Sequence, residues 1–348
     1  MSTAAAATTA PPGAAPSTTA AVSRRTRIVV ALAIGAFSAL FCYLFQRLGP
    51  RPDFLYWWSA ARMVLAGQDP YALMPVYNHA LQPPFDAPFF YPLPAVLLVT
   101  PLARIPMQLA SVLGFGTMSG LLAFLVTRES LWRLAIFANA SFFLAAACTQ
   151  WSPLIVAAAL APGLAVFLWC KPTLGLAALA WNRSWKGIAL AAALGVASLF
   201  VIPDWPREWL RNTSLIIKHP APIMTPAGPL ALLALLRWRN REARVFLVMA
   251  CVPQLLFFYD QLPLWLLPRT PRQSLWLSLA SALGAAGWAA TLHKGEPWVL
   301  AAAPWVLALV YLPALVIVLL QPHDGPTPAW LHRLPVFRRL AHPPTPPA

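Results

Sequence analysis

The stretch Arg51-Pro-Asp-Phe-Leu-Tyr-Trp-Trp-Ser-Ala-Ala-Arg62, continuing through Gly67-Gln-Asp-Pro-Tyr71 to Phe89-Phe-Tyr-Pro92, holds most of the informative polar and aromatic residues of the chain. Almost everything around it is hydrocarbon. Between Phe54 and Ala66 the apolar residues recur at helical spacing, with Tyr56, Trp57 and Trp58 near one end; this predicts a short amphipathic helix lying in the headgroup region of a bilayer. Asp53 immediately precedes it, in the N-cap position. Its carboxylate has two readings. It caps a helix whose tryptophans anchor it at the membrane surface, or it is a base held at that surface with Arg51 and Arg62 available for an anion. Arg62 follows Asp53 by nine positions, two and a half helical turns, so the two could bracket a substrate without touching one atom.

Composition sets the class. Over 348 residues, 59% are hydrophobic and 10% charged, which excludes a soluble globule carrying about 25% charge. With a mean hydropathy of +0.64 the chain reads as a polytopic, all-α transmembrane helical bundle. The net charge of +15 does not point to nucleic acid, because Lys and Arg occur in short clusters between apolar runs, where membrane orientation requires them. Cys42, Cys148, Cys170 and Cys251 lie in or beside apolar segments without metal-ligand or redox spacing, so neither a disulfide nor a metal site is expected, and no cofactor. Thirty-eight prolines predict broken or re-entrant helices around a cavity.

The chain divides into a low-complexity Ala/Thr/Pro tail (1–22) expected to be disordered, a membrane domain (23–320) of about ten spanning or half-spanning segments, and a Pro/Arg-rich cytoplasmic tail (321–348) marked by Arg333, Arg338 and Arg339. Arg24, Arg25 and Arg27 before the run Ile28–Phe45 predict a signal anchor with a cytoplasmic N-terminus, which puts the loop 47–91 outside. Pro92–Ile105 is expected to be re-entrant, leaving Arg104 near the outer face. Met107–Thr127 then crosses to Arg128 and Arg133, and Leu134–Thr149 returns to deliver Gln150-Trp-Ser-Pro153 outside. Leu154–Trp169 is read as an inward crossing that leaves Lys171 at the cytoplasmic side. A second outer loop, 203–220, carries Trp205 and Trp209 in another expected interfacial helix. Ala221–Leu236 descends to Arg237, Arg239, Arg241 and Arg244, and the run from Val245 turns at Phe258-Tyr-Asp260. Ser274–Leu292 and Trp298–Leu320 complete the bundle, in what is expected to be a bacterial-type plasma membrane.

This topology gathers Asp53, Tyr91, Gln150, Tyr259 and Asp260 at one face. Carboxylates at membrane depth are costly, which makes Asp53 and Asp260 functional candidates. Lys171 reads equally as a snorkelling lysine or as a phosphate contact. Tyr56, Trp57 and Tyr91 read equally as interfacial anchors or as a platform for a sugar ring.

The run Asp53-Phe-x-x-Tyr-Trp-x-x-Ala-Arg62, then Gly67, Pro70-Tyr71, Phe90-Tyr-Pro92, Pro101-Leu102 and Ile105-Pro106, resembles the first outer loop and second membrane segment of family 87 glycosyltransferases. Gln150, Lys171-Pro172 and Tyr259-Asp260 match later short elements of that family in order, over roughly residues 25–270. Thr149 stands where the family usually has Gly, and Leu93 replaces a second Pro. The resemblance implies a GT-C-like fold and a multi-pass enzyme that takes a hexose or pentose, mannose first, from a polyprenyl-phosphate donor to a lipid or glycan acceptor at the outer face. It implies inversion at the sugar, with Asp53 as general base. Arg62 and Arg104, then Lys171 and His219, are nominated for the departing phosphate, and Asp260 for orienting the acceptor or Asp53. The alternatives are a polytopic transporter or flippase, and a non-catalytic membrane protein that keeps the fold.

Overall fold

The computed structural model describes residues 22–48, 52–74, 88–215, 219–293 and 298–322. The expected tails before Val22 and after Pro322, Arg51, and the part of the first loop at 75–87 lie outside the described residues. Among the described residues every regular element is helical. In chain order they are α1 (Arg24–Leu48), α2 (Phe54–Leu65), α3 (Pro70–Leu73), α4 (Leu93–Val99), α5 (Met107–Val126), α6 (Ala140–Cys148) and α7 (Ser152–Leu160). There follow α8 (Pro172–Trp181), α9 (Trp185–Leu199), α10 (Trp205–Leu215), α11 (Arg241–Cys251), α12 (Pro271–Thr291), α13 (Ala303–Val306) and α14 (Leu312–Leu320). Between them run unusually long 3₁₀ segments, among them Leu131–Phe137, Pro162–Cys170, Gly228–Arg237 and Phe258–Leu266.

Three helical stretches are long and apolar enough to cross a bilayer: α1, α5 and the composite Leu300–Leu320. A fourth results if Leu131–Phe137 and α6, bent by 54° at the short break between them, count as one span. α12, at 21 residues, is not among them, and the other expected segments are shorter helices or 3₁₀ stretches. Ile28, Leu32, Phe37, Leu40 and Leu44 of α1 stay exposed, an apolar exterior compatible with a membrane protein.

Small residues decide how α1 and α5 meet. Gly116 and Gly120 of α5 face Gly35 and Ala31 of α1, and a Cβ added at either would come within 2.9 Å of α1 backbone oxygens. This is the close approach that replaces hydrophobic driving force between helices in lipid. The pair is antiparallel: the Arg27 guanidinium donates to the Phe124 carbonyl (2.8 and 3.2 Å) at one end, and Gln46 donates to Ser111 Oγ (2.8 Å) near the other.

Two expectations need correction. The helix at 54–65 forms, but it does not lie on a surface with its tryptophans outward. Trp57 and Trp58 are 0% and 8% exposed, and α2 packs against α4 and the segment Leu102–Arg104 inside the protein. Seven of its twelve residues are buried, too many for a half-wet interfacial helix. Likewise Trp205 of α10 is buried, and Trp209 and Asn212 turn inward to donate to the carbonyls of Phe90 and Phe89 (both 2.9 Å).

The second correction concerns Leu154–Trp169. It is not one crossing. Pro162 ends α7 by removing an N–H and forcing Ala161 into extended backbone (φ −138°, ψ 101°), so the 3₁₀ segment Pro162–Cys170 doubles back. Nine residues of α-helix rise only about 14 Å, against a hydrocarbon core of about 30 Å. Leu160 at the end of α7 and Trp181 at the end of α8 meet Val126 and Arg133 in one small cavity, while Lys171, between them in sequence, returns to the level of Gln150. Lys171 therefore shares its end of the bundle with Asp53 rather than lying at the opposite side.

At the end marked by Val126, Glu242 is 2% exposed and accepts from Arg269 Nε (3.0 Å) and Nη2 (2.8 Å). Arg237, also buried, donates to the carbonyls of Gln321 (2.8 Å) and Leu319 (3.2 Å), closing the carboxyl end of α14.

Candidate functional site

Asp53 does not cap α2. Its backbone is helical (φ −58°, ψ −22°) and its carboxylate makes no capping hydrogen bond. Its N–H donates instead to the Cys148 carbonyl (3.1 Å), and its carboxylate accepts from the side-chain amide of Gln150. The turn that presents Gln150 is a Schellman closure of α6: Gln150 N–H donates to Ala145 O (2.8 Å) and Thr149 N–H to Ala146 O (3.3 Å). That geometry demands a left-handed residue, and Thr149 supplies it at φ 52°, ψ 56°, the sole non-glycine with positive φ among the described residues. Thr149 therefore holds a conformation that glycine adopts more readily.

Lys171 stands in non-helical backbone (φ −147°, ψ 87°) between the 3₁₀ segment and α8, kept out of the helical region by the following Pro172. Its ammonium forms an ion pair with Asp260 and lies 4.6 Å from the centre of the Tyr259 ring. The Tyr259 carbonyl accepts from the Ser152 hydroxyl, which ties the Asp260 segment to the start of α7. Asp53, Tyr91 and Lys171 are half-buried, and Gln150 and Asp260 are buried.

An aromatic wall stands on the α2 side. Tyr91 packs on Trp57 (4.2 Å between ring centres), and Trp57 meets Trp151 edge-on at 5.3 Å. Tyr71, under its Asp69 cap, donates its hydroxyl to the Tyr91 carbonyl (2.7 Å) and fixes that residue. Tyr56 stands further out, against Phe90 at 6.3 Å. Three buried polar atoms in this neighbourhood have no hydrogen-bond partner: Trp57 Nε1, Trp151 Nε1 and Gln150 Oε1. Such atoms are rare in folded proteins, and these three belong to a wider set among the described residues that also takes in Ser119, Ser141 and Gln321.

Burial pushes the Asp53 carboxyl up to about 6; the Lys171 ammonium pulls it down, the Asp260 charge pushes it up, and the Gln150 amide pulls it down. Burial lowers His219, against the pull of Asp260. A carboxylate that titrates near neutrality, half-open to solvent and beside a lysine, is equipped to accept a proton.

The structure therefore brings together Asp53, Gln150, Lys171, Tyr259, Asp260, Tyr91 and Trp57. It leaves out the two arginines. Arg62 is exposed and stacks on Trp58 at 4.8 Å, and Arg104 is exposed at the end of Leu102–Arg104; the charges acting on Asp53 are those of Lys171 and Asp260. Arg62 fails because α2 carries it two and a half turns away from Asp53. Sequence reading passed over Trp151 and Ser152, though both lie in the quoted Gln150–Pro153 stretch. Among the described residues no group of three His, Cys, Asp or Glu side chains could hold a metal ion. Compared with family models, characterised proteins and solved structures, the chain finds no match.

Proposed function

We propose that this chain is a multi-pass membrane glycosyltransferase of the family 87 kind, with a GT-C-like fold, in a bacterial-type plasma membrane with both termini cytoplasmic. It transfers a hexose or pentose, mannose first, from a polyprenyl-phosphate donor to a lipid or glycan acceptor at the outer face. The observation that supports this reading above the others is the Asp53 carboxylate. It is sunk beside α2, held by Gln150 instead of capping its helix, and lies within electrostatic reach of the Lys171–Asp260 pair.

In this reading the acceptor hydroxyl loses its proton to Asp53 as its oxygen bonds the anomeric carbon, and the bond from that carbon to the lipid phosphate breaks with inversion. The departing phosphate carries the negative charge away. Lys171, rather than Arg62 or Arg104, is the cation beside the reacting groups, and passes from Asp260 to the phosphate. The indole N–H groups of Trp57 and Trp151 and Gln150 Oε1 take sugar hydroxyls, while Tyr91 offers a ring face.

The test supplies membranes containing the wild type or Asp53→Asn with radiolabelled polyprenyl-phosphate mannose, a matching pentose donor, and a total lipid and glycan extract. Label leaving a donor in the wild type and not in the variant is the expected result. Equal transfer by both would overturn Asp53 as the base, and no transfer from either donor would overturn the donor class.

A further inference from the structure

Positive charge gathers where the start of α1 meets the end of α5. Arg24, Arg25 and Arg27 occupy the first turn of α1, which contains no acidic residue. A helix N-terminus is the positive end of the macrodipole, so three cations there oppose it. Because the two helices run antiparallel, Arg128 arrives at the same junction, just past the last residue of α5. Arg27 lies within electrostatic reach of both Arg24 and Arg128.

No carboxylate offsets these charges. Glu129, the acid nearest in sequence to Arg128, is paired with Arg133 (2.8 Å), and among the described residues none of the four arginines has an ion-pair partner. Residues 1–23 contain neither Asp nor Glu. Arg27 spends its guanidinium on the protein, donating to the Phe124 carbonyl and lying over the Phe124 ring at 4.1 Å. Arg24, Arg25 and Arg128 stay exposed. Membrane orientation accounts for an excess of basic residues at one end of a bundle; it does not require them to converge on a single helix junction with the nearest acid engaged elsewhere.

The surface next to this junction is hydrocarbon. Arg25, Val29 and Leu32 follow one another at helical spacing along one stripe of α1, with Ile28 beside them, and all three apolar side chains are exposed. A chain lying along that stripe has its head at the arginines. Guanidinium groups engage phosphate oxygens bidentately, and their convergence above an exposed apolar stripe complements a phosphate borne on acyl chains.

We propose that the α1–α5 junction binds the headgroup phosphate of an anionic phospholipid through Arg24, Arg25 and Arg128, with the acyl chains along Val29 and Leu32. This site lies at the opposite end of the α1–α5 pair from Gln46 and does not depend on the sugar-transfer reading.

The experiment titrates the full chain in detergent micelles with phosphatidylglycerol or phosphatidylcholine and counts bound lipid by native mass spectrometry. Phosphatidylglycerol should be retained over phosphatidylcholine. Its affinity should fall about a hundredfold in Arg24→Gln/Arg25→Gln/Arg128→Gln, at about fivefold for each arginine removed from an anionic headgroup. Exposed substitutions of this kind cost little stability, and phosphatidylglycerol should raise the unfolding midpoint of the wild type but not of the variant. Arg47→Gln/Arg62→Gln/Arg104→Gln removes three other exposed arginines and should bind the lipid as the wild type does. Equal retention of the two lipids, or an equal loss in both triple variants, would overturn the proposal. Displacement of the lipid by glycerol phosphate would show that the site takes a soluble phosphate, and would overturn the lipid assignment.

Discussion

Asp53 is the residue on which structure and chemistry bear most directly. Its carboxyl is held near 6, against an ordinary value of 3.8, chiefly by burial. The folded state thus favours the protonated form. Its contribution to stability is fully present below about pH 4 and is lost as the pH rises through about 6. At about 1.4 kcal/mol per pH unit the full cost would be about 3 kcal/mol; because the group is half-buried rather than sealed, about 2 kcal/mol is expected. Asp53→Asn should therefore raise the thermal midpoint at pH 7.5, leave it little changed at pH 4, and lower turnover by about 10²- to 10⁴-fold. Wild-type turnover should fall as the pH drops through about 6. A variant less stable than wild type at pH 7.5 would mean the carboxylate is structural. Thr149 gives a second residue-scale prediction. A β-branched residue at φ 52° is strained, and its hydroxyl makes only long contacts, with Gln46 (3.3 Å) and Cys42 Sγ (3.4 Å). Thr149→Gly should stabilise by about 1 kcal/mol, read as a higher unfolding midpoint with unchanged turnover. A lower midpoint would show that the hydroxyl outweighs the strain. Part of this was legible beforehand. Asp53 and Gln150 stood out as isolated polar residues in hydrocarbon, but nothing local told that Gln150 would hold Asp53, because they are 97 positions apart.

At the scale of elements, the break at Pro162 matters most. A run of apolar residues from Leu154 to Trp169 has the length of a crossing, and length was the criterion that put Lys171 on the wrong side. The proline was visible. Its consequence was not, because a proline can kink a helix or reverse it, and only packing against α8 and α9 selects the reversal. The 3₁₀ segments were invisible for a related reason: their apolar sequences carry no period that separates them from α-helix. The reversal yields the Lys171–Asp260 pair, and that pair makes a prediction of its own. Lys171→Met should destabilise by about 3 kcal/mol, since it strands a buried carboxylate. Lys171→Met combined with Asp260→Leu should recover most of that stability and none of the turnover, measured as unfolding midpoint and sugar transfer on the same preparations. If the double variant regains transfer, the pair serves the fold alone.

Across the whole molecule the polar residues divide between two ends. Unpartnered buried polar atoms occur at both ends, Gln150 Oε1 at one and Gln321 Oε1 at the other, but the end that holds Asp53 keeps a carboxylate raised toward neutrality. At the other end the buried and half-buried charges are consumed by structure: Glu242 binds Arg269, Arg133 donates to the Pro268 carbonyl (2.8 Å), and Arg237 closes α14. Charge counting could read these arginines as marks of orientation, yet it had no means of finding the buried glutamate that pairs with one of them. If this division holds, damage at the second end should cost stability without touching chemistry. Glu242→Ala removes a nearly sealed carboxylate from Arg269, which is 30% exposed, so the cost should sit near about 3 kcal/mol, the low end for a broken buried pair. The unfolding midpoint should drop, while turnover per folded molecule, measured well below that midpoint, should equal the wild type's. A fall in turnover at unchanged midpoint would mean that the two ends communicate, which the short bent segments between them, α7 and Pro162–Cys170, would then have to transmit.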